Sequence, residues 1–110
     1  MGRAEIIQII VLNEVSDDYE NLAHIQEFGI PYGQQNGIAI SAEDVVSALI
    51  NLIGAGLVSA YDSYAKPVAE VKGPLSVEQM EELYFYQTSK GKETNAFNSK
   101  FFDSAGMLLT

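Results

Sequence analysis

Residues 41–61 read SAEDVVSALINLIGAGLVSAY, and in that stretch a start signal, a helix, a stop signal and a strand follow one another. Ser41 is a good N-cap, and Glu43 and Asp44 sit in the first turn, where the helix dipole favours acids; Asp44 holds the capping-box position. At about 100° per residue, Ala42, Val46, Leu49, Ile50 and Ile53 gather on one side, while Asp44, Ser47, Ala48 and Asn51 point the other way. Gly54 and Gly56 stop the helix, which therefore covers residues 42–54. Residues 57–64 then alternate in side-chain type and are rich in Val and Tyr, as a strand should be, and residues 83–88 match them. The connection over 65–82 is too long for a tight hairpin. It opens with Lys66 and Pro67, reaches Gly73 and Pro74, and ends in VEQMEE, a short helix capped by Ser76.

Outward from this centre, residues 4–15 form an apolar, β-branched run that suits a helix or a buried strand. Its length and the bracketing Glu5 and Glu14 favour a first helix. Ser16 followed by Asp17 and Asp18 predicts a second helix over 17–28, with Tyr19, Leu22, Ile25 and Phe28 on one face and Gly29 ending it. Residues 29–40, GIPYGQQNGIAI, read as a loop with a short strand at 38–40. After Thr88, a turn-capping residue, a last helix is expected over about 92–102, with Ala96, Phe97 and Phe101 on one side. The closing Met107, Leu108 and Leu109 are apolar, which fits docking on the core, sharing with a second subunit, or fraying.

A length of 110 residues with 47% hydrophobic content bounds the chain to one domain, 1–110, with a single core. There is no cysteine, so disulfides, thiolate nucleophiles and Cys-based zinc sites are excluded, which suits a cytoplasmic protein. Residues 45–61 are uncharged, yet fall short of the roughly 20 apolar residues that span a bilayer, and no membrane partner is expected. The N-terminal run is interrupted by Gln8 and lacks a cleavage pattern, so it reads as a helix rather than a signal peptide, and Ile6 stands where a myristoylation signal needs Ser or Thr. Charge is the strongest compositional clue. The net charge is -9; residues 1–62 hold only Arg3 against nine acids, whereas residues 63–110 hold five lysines against six acids. Such acidity repels a polyphosphate overall, although a local lysine patch can still dock on one.

The third helix running into Gly56, Leu57 and Val58, together with the Tyr86-x-Thr88-x-x-Gly91 ending of the last strand, resembles the winged helix-turn-helix superfamily of bacterial transcription regulators. The resemblance spans roughly residues 5–100 and implies an α+β winged helix: a three-helix core, a two-stranded wing over 57–88 with a long insertion, and a terminal helix. It also implies a small DNA-binding regulator working as a dimer, with helix 42–54 in the major groove and the wing on the neighbouring backbone. Carried over by position, Ser47 and Asn51 would face bases, and Lys66, Lys72 and Lys90 would meet phosphates. Two features depart from that pattern. Twelve residues, 29–40, separate the second and third helices, and Glu43 and Asp44 stand where phosphates would lie. A carboxylate and a phosphate about 4 Å apart repel by roughly 1 to 4 kcal/mol.

The alternative is an acidic protein–protein interaction module that does not bind DNA and uses Tyr84 or Met107, Leu108 and Leu109 toward a partner or a second copy. Other readings weigh less. Tyr61, Tyr64, Tyr84 and Tyr86 suit a stacking platform for single-stranded nucleic acid, but cross-strand packing is the commoner use of such residues. His24, with no second histidine or cysteine, reads as a surface residue. No phosphate loop, nucleophile elbow or converging acid pair is visible, so neither an enzyme nor a cofactor is expected.

Overall fold

The computed structural model describes residues 2–63, 69–103 and 106–109. The described chain is α+β, with the order α1 (Arg3–Glu14), β1 (Glu20–Asn21), α2 (Leu22–Gln35), α3 (Ala42–Gly54), β2 (Val58–Tyr61), β3 (Glu70–Val71), α4 (Val77–Met80), β4 (Tyr84–Gln87) and α5 (Ser89–Asn98), closed by a 3-10 turn at Ser99–Phe101. The sheet is antiparallel in the order β1-β4-β2-β3. Tyr61 lies opposite Tyr84 and Ala60 opposite Phe85, so Val58, Ala60 and Phe85 face the helices while Tyr61, Tyr84 and Tyr86 form the outer face.

The residues 4–15 form a helix and not a strand. Ile7, Ile9, Ile10, Val11 and Leu12 are all buried, so α1 is wrapped by neighbours on most of its circumference, which explains the missing amphipathic period. It packs beside α3, where buried Ala48 permits a close approach.

The second helix differs from the sequence reading at both ends. Ser16 donates its hydroxyl to the Asn13 carbonyl and so belongs to the end of α1, and Asn21 caps α2 by accepting the His24 N–H at 2.8 Å. The residues between include β1, two residues long, which exists only because β4 pairs with it. At the far end α2 runs through Pro31 to Gln35. The Asn-Gly pair is its C-cap: Gly37 has φ +75°, and Ile38 N–H donates to the Gly33 carbonyl and Gly37 N–H to the Gln34 carbonyl, a Schellman arrangement. The supposed twelve-residue loop is thus mostly helix, and no strand is assigned at 38–40. The buried face of α2 is Leu22, Ile25, Gly29 and Gly33; Phe28 is exposed and Tyr19 precedes the helix. A Cβ at Gly33 would come within 2.4 Å of Ile40 Cδ1, so this glycine sets how closely the following segment folds back.

α3 has the bounds its caps predict. Its buried arc, however, is Val45, Val46, Ala48, Leu49 and Leu52, rotated from the expected one so that Ile50 and Ala42 face solvent and Ala48 faces inward. The helix is apolar over most of its surface, so periodicity alone leaves the arc undetermined; contact with α1 and the sheet selects it. Gly56, at φ +76°, and Leu57 close it with a second Schellman pair of bonds to Ile53 and Leu52. The two strands expected to form a wing, β2 and β4, belong to a four-stranded sheet, and Ser76 caps α4 as expected, in a capping box with Gln79. The terminal helix begins three residues earlier than about 92, because Thr88 is its N-cap.

Candidate interaction face on the third helix

Both ends of α3 are fastened by side chains. At the N-terminus Ser41 Oγ accepts the Asp44 N–H at 3.1 Å, and the Asp44 carboxylate accepts the Ser41 N–H at 2.9 Å. Arg3 reaches across from α1, its Nη2 2.7 Å from Asp44 Oδ2, and also donates to the Ala39 carbonyl. The Arg3 hydrogen bond, helped by the Ser41 N–H, holds the Asp44 carboxyl down at about 2. The lone base of residues 1–62 is therefore committed to neutralising Asp44, and Glu43 keeps its charge unpaired among the described residues.

At the C-terminus, Thr88 ties the end of β4 to the turn after α3. Its N–H donates to the Leu57 carbonyl, its hydroxyl donates to the Gly56 carbonyl at 2.6 Å, and the same oxygen accepts the Gly91 N–H at 3.0 Å to cap α5. A Cβ on Gly91 would lie 1.9 Å from the Leu57 carbonyl oxygen, so the Thr88-x-x-Gly91 pattern is a packing requirement. Lys90 donates to the Ala55 carbonyl at 3.0 Å, an interaction that suits the negative end of the α3 dipole.

Between these ends the flank of α3 is open. A groove of about 660 Å³ runs between α2, α3 and α4; Leu22 and Val46 form its floor, and Ile50, Val77, Glu43 and Glu81 stand along it. Ile50 is 46% exposed and Val77 48%, and both are aliphatic. A second hollow of about 340 Å³ continues past Ile50 along Ile53, Gly54, Gly73, Pro74 and Leu75. The segment around α4 thus lies alongside α3 and supplies the groove's other wall.

The residues singled out from sequence fall in different places. Ser47 and Asn51 are exposed on α3 and share a shallow depression with Arg3 and Asp44; Ser47 also borders the groove. Lys72 is on the sheet margin, 3.8 Å from the Glu70 carboxylate, and Lys90 is held at the helix C-terminus. Lys66 lies outside the described residues. The structure brings no lysine or arginine to the groove among the described residues.

On the outer sheet face Tyr19 packs edge-on against Tyr61 and tilted against Tyr86, each pair with centroids 5.0 Å apart, and Tyr84 stands opposite Tyr61. The rings stack on each other as cross-strand packing does. Ring burial, with the Tyr19 hydroxyl and the Glu70 carboxylate nearby, raises the Tyr61 hydroxyl above its ordinary range. Tyr64 is outside the described residues. His24 lies 2.9 Å from the Glu20 carboxylate and stacks on Phe28.

In the tail it is Leu108 that docks on the core. Leu108 is buried and bridges to Phe102, its N–H donates to Asn36 Oδ1 at 2.8 Å, and Tyr32 donates its hydroxyl to the Gly106 carbonyl. Met107 is half-buried and Leu109 exposed. What sequence reasoning missed is the exposure of Ile50, which it grouped with Val46, Leu49 and Ile53 on one side of the helix, and the place of Val77 and Glu81, which it put in a short helix without a role. The signal for them was the long 65–82 connection, which returns a helix to the side of α3.

No helix among the described residues is long and apolar enough to cross a membrane. Compared with family models, with curated proteins and with solved structures, the chain matches none of them.

Proposed function

We propose that this chain is a winged-helix module whose third helix recognises a protein rather than DNA. The winged-helix reading is supported by the order α1, β1, α2, α3, β2 and, after β3 and α4, β4, and by the return of β4 to pair with both β1 and β2. The observation that carries the protein-binding reading is the chemistry of the α3 flank: two half-exposed aliphatic side chains, Ile50 and Val77, beside two carboxylates, Glu43 and Glu81. A phosphate backbone laid there would meet unpaired negative charge and desolvate aliphatic surface for no return. A protein partner gains from the same surface. Covering what remains exposed of Ile50 and Val77 is worth roughly 1 kcal/mol each.

Ser47 and Asn51 are the residues that favour the DNA-binding regulator reading, since both are exposed on α3 and both can read a base edge. Anisotropy of a labelled random-sequence duplex at about 25 mM and then about 150 mM salt decides between the two. The expected result is no binding at either. Binding that collapses with salt, loses sequence preference on Asn51→Ala and weakens uniformly on Lys72→Glu would reverse the assignment.

A further inference from the structure

The groove beside α3 has a polarity along its length. Glu43 marks its N-terminal end, Ile50 stands two turns further on, and Ile53 and Gly54 lead into the second hollow, which Pro74 and Leu75 also line. From the opposite wall α4 contributes Val77 and the turn after it Glu81, so the two carboxylates share the first hollow and the second is apolar. Neither hollow is lined by a base among the described residues; Arg3 is held by Asp44, and Lys72, which precedes Gly73, lies 3.8 Å from the Glu70 carboxylate. An occupant matching this pattern carries positive charge at one end and an apolar face along the rest.

The shape of that occupant follows from what the fold offers. The edge strands β1 and β3 are two residues long, too short to template an added strand. The groove, by contrast, runs along the exposed stripe of a 13-residue helix, about 20 Å, with apolar positions three and four residues apart, the spacing that interdigitates with another helix.

We propose that the groove between α3 and α4 binds a basic amphipathic helix of another protein, its apolar stripe on Ile50, Val77 and Leu75 and its lysines or arginines on Glu43 and Glu81. This rests on the protein-binding reading above and adds the chemistry of the partner. The net charge of -9 draws such a helix from a distance, while the groove fixes where it settles.

The probe is a synthetic leucine–lysine helix of about five turns, with a leucine–glutamate helix of the same pattern as its control, titrated by anisotropy against the full chain at about 150 mM salt. The lysine helix should bind about tenfold or more tighter than the glutamate helix, and Ile50→Asp should weaken it about tenfold. The double variant Glu43→Gln, Glu81→Gln should weaken it several-fold and flatten its salt dependence. Ile50 is exposed, so Ile50→Asp is expected to fold, which circular dichroism checks. Equal binding of both helices, abolished by Ile50→Asp, would overturn the basic partner while leaving a protein site on α3. Lysine-helix binding indifferent to Ile50→Asp would be diffuse attraction to an acidic surface and would sink both. Binding of neither helix overturns the inference, and the duplex titration then judges the broader reading by itself. Self-association in sedimentation equilibrium that Ile50→Asp abolishes would put a second copy in the groove instead.

Discussion

The junction of α3, β2 and α5 and the flank of α3 facing α4 lie on the same helix and are built to opposite specifications. At the junction, closeness is what the residues supply. Gly91 admits the Leu57 carbonyl, Thr88 hydrogen-bonds the ends of three elements, and Lys90 donates to the Ala55 carbonyl at the C-cap of α3. On the flank, residues of a type that belongs in a core stand half in water, with carboxylates beside them. Packing to contact marks where the fold is held together, and uncovered aliphatic surface rimmed by one sign of charge marks where something else is expected to pack.

This contrast makes graded predictions. The largest effect belongs to Gly91→Ala: the nearest atom is backbone and cannot swing aside, so about 2 to 4 kcal/mol of stability should be lost in urea unfolding. Gly33→Ala should cost less, because the atom met first is the movable end of Ile40, although the Ile38 carbonyl oxygen at 2.9 Å keeps it from being neutral. A loss at Gly91 no larger than at Gly33 would mean the junction is looser than described. Next, Thr88→Val removes a helix cap and a cross-element hydrogen bond at nearly constant volume and should cost about 1 to 2 kcal/mol.

A pH effect comes third. The folded Asp44 carboxyl sits at about 2, below the ordinary unfolded value near 3.9, so its contribution is fully present above about pH 4 and is lost as pH falls through about 2. Burial raises Glu14, so its protonation on acidification favours the folded state and opposes that loss at higher pH. Asp44→Asn should therefore lower stability at pH about 6 and remove part of the decline between about 4 and 2. Urea curves that fall equally steeply in both proteins would show that the Arg3–Asp44 pair contributes nothing. The smallest effect on stability is expected at the flank, where Ile50→Asp should change it by about 0.5 kcal/mol or less while binding is lost. A large destabilisation there would make Ile50 part of the core and erase the contrast.

The sequence made these two regions unequally legible. Ser41 with Asp44, and Gly54 with Gly56, are local signals, and they located α3 to the residue because capping needs only neighbours. Thr88 and Gly91 could be seen as a pattern, but the Leu57 carbonyl that explains the glycine is more than thirty residues away. Asn36-Gly37 was punctuation of the right kind read at the wrong place: it closes α2 and does not open a loop, and Pro31 was allowed inside that helix because tertiary packing of Ile25, Gly29 and Gly33 outweighs one lost hydrogen bond. β1 could not be read at all, since two residues have no periodicity and owe their form to β4. The flank was hidden for a related reason. A helix with Val45, Val46, Leu49, Ile50, Leu52 and Ile53 offers several apolar arcs, and only the placement of α1 and the sheet leaves Ile50 outside.

Amide chemical-shift mapping of the full chain shows most directly which ligand the α3 flank receives. With the leucine–lysine helix, shifts should concentrate at Ala23, Ser47, Ile50, Val77 and Glu81, and a random duplex at about 25 mM salt should move nothing. Shifts at Ser47, Asn51 and Lys72 on adding duplex, with the helix peptide inert, would contradict it.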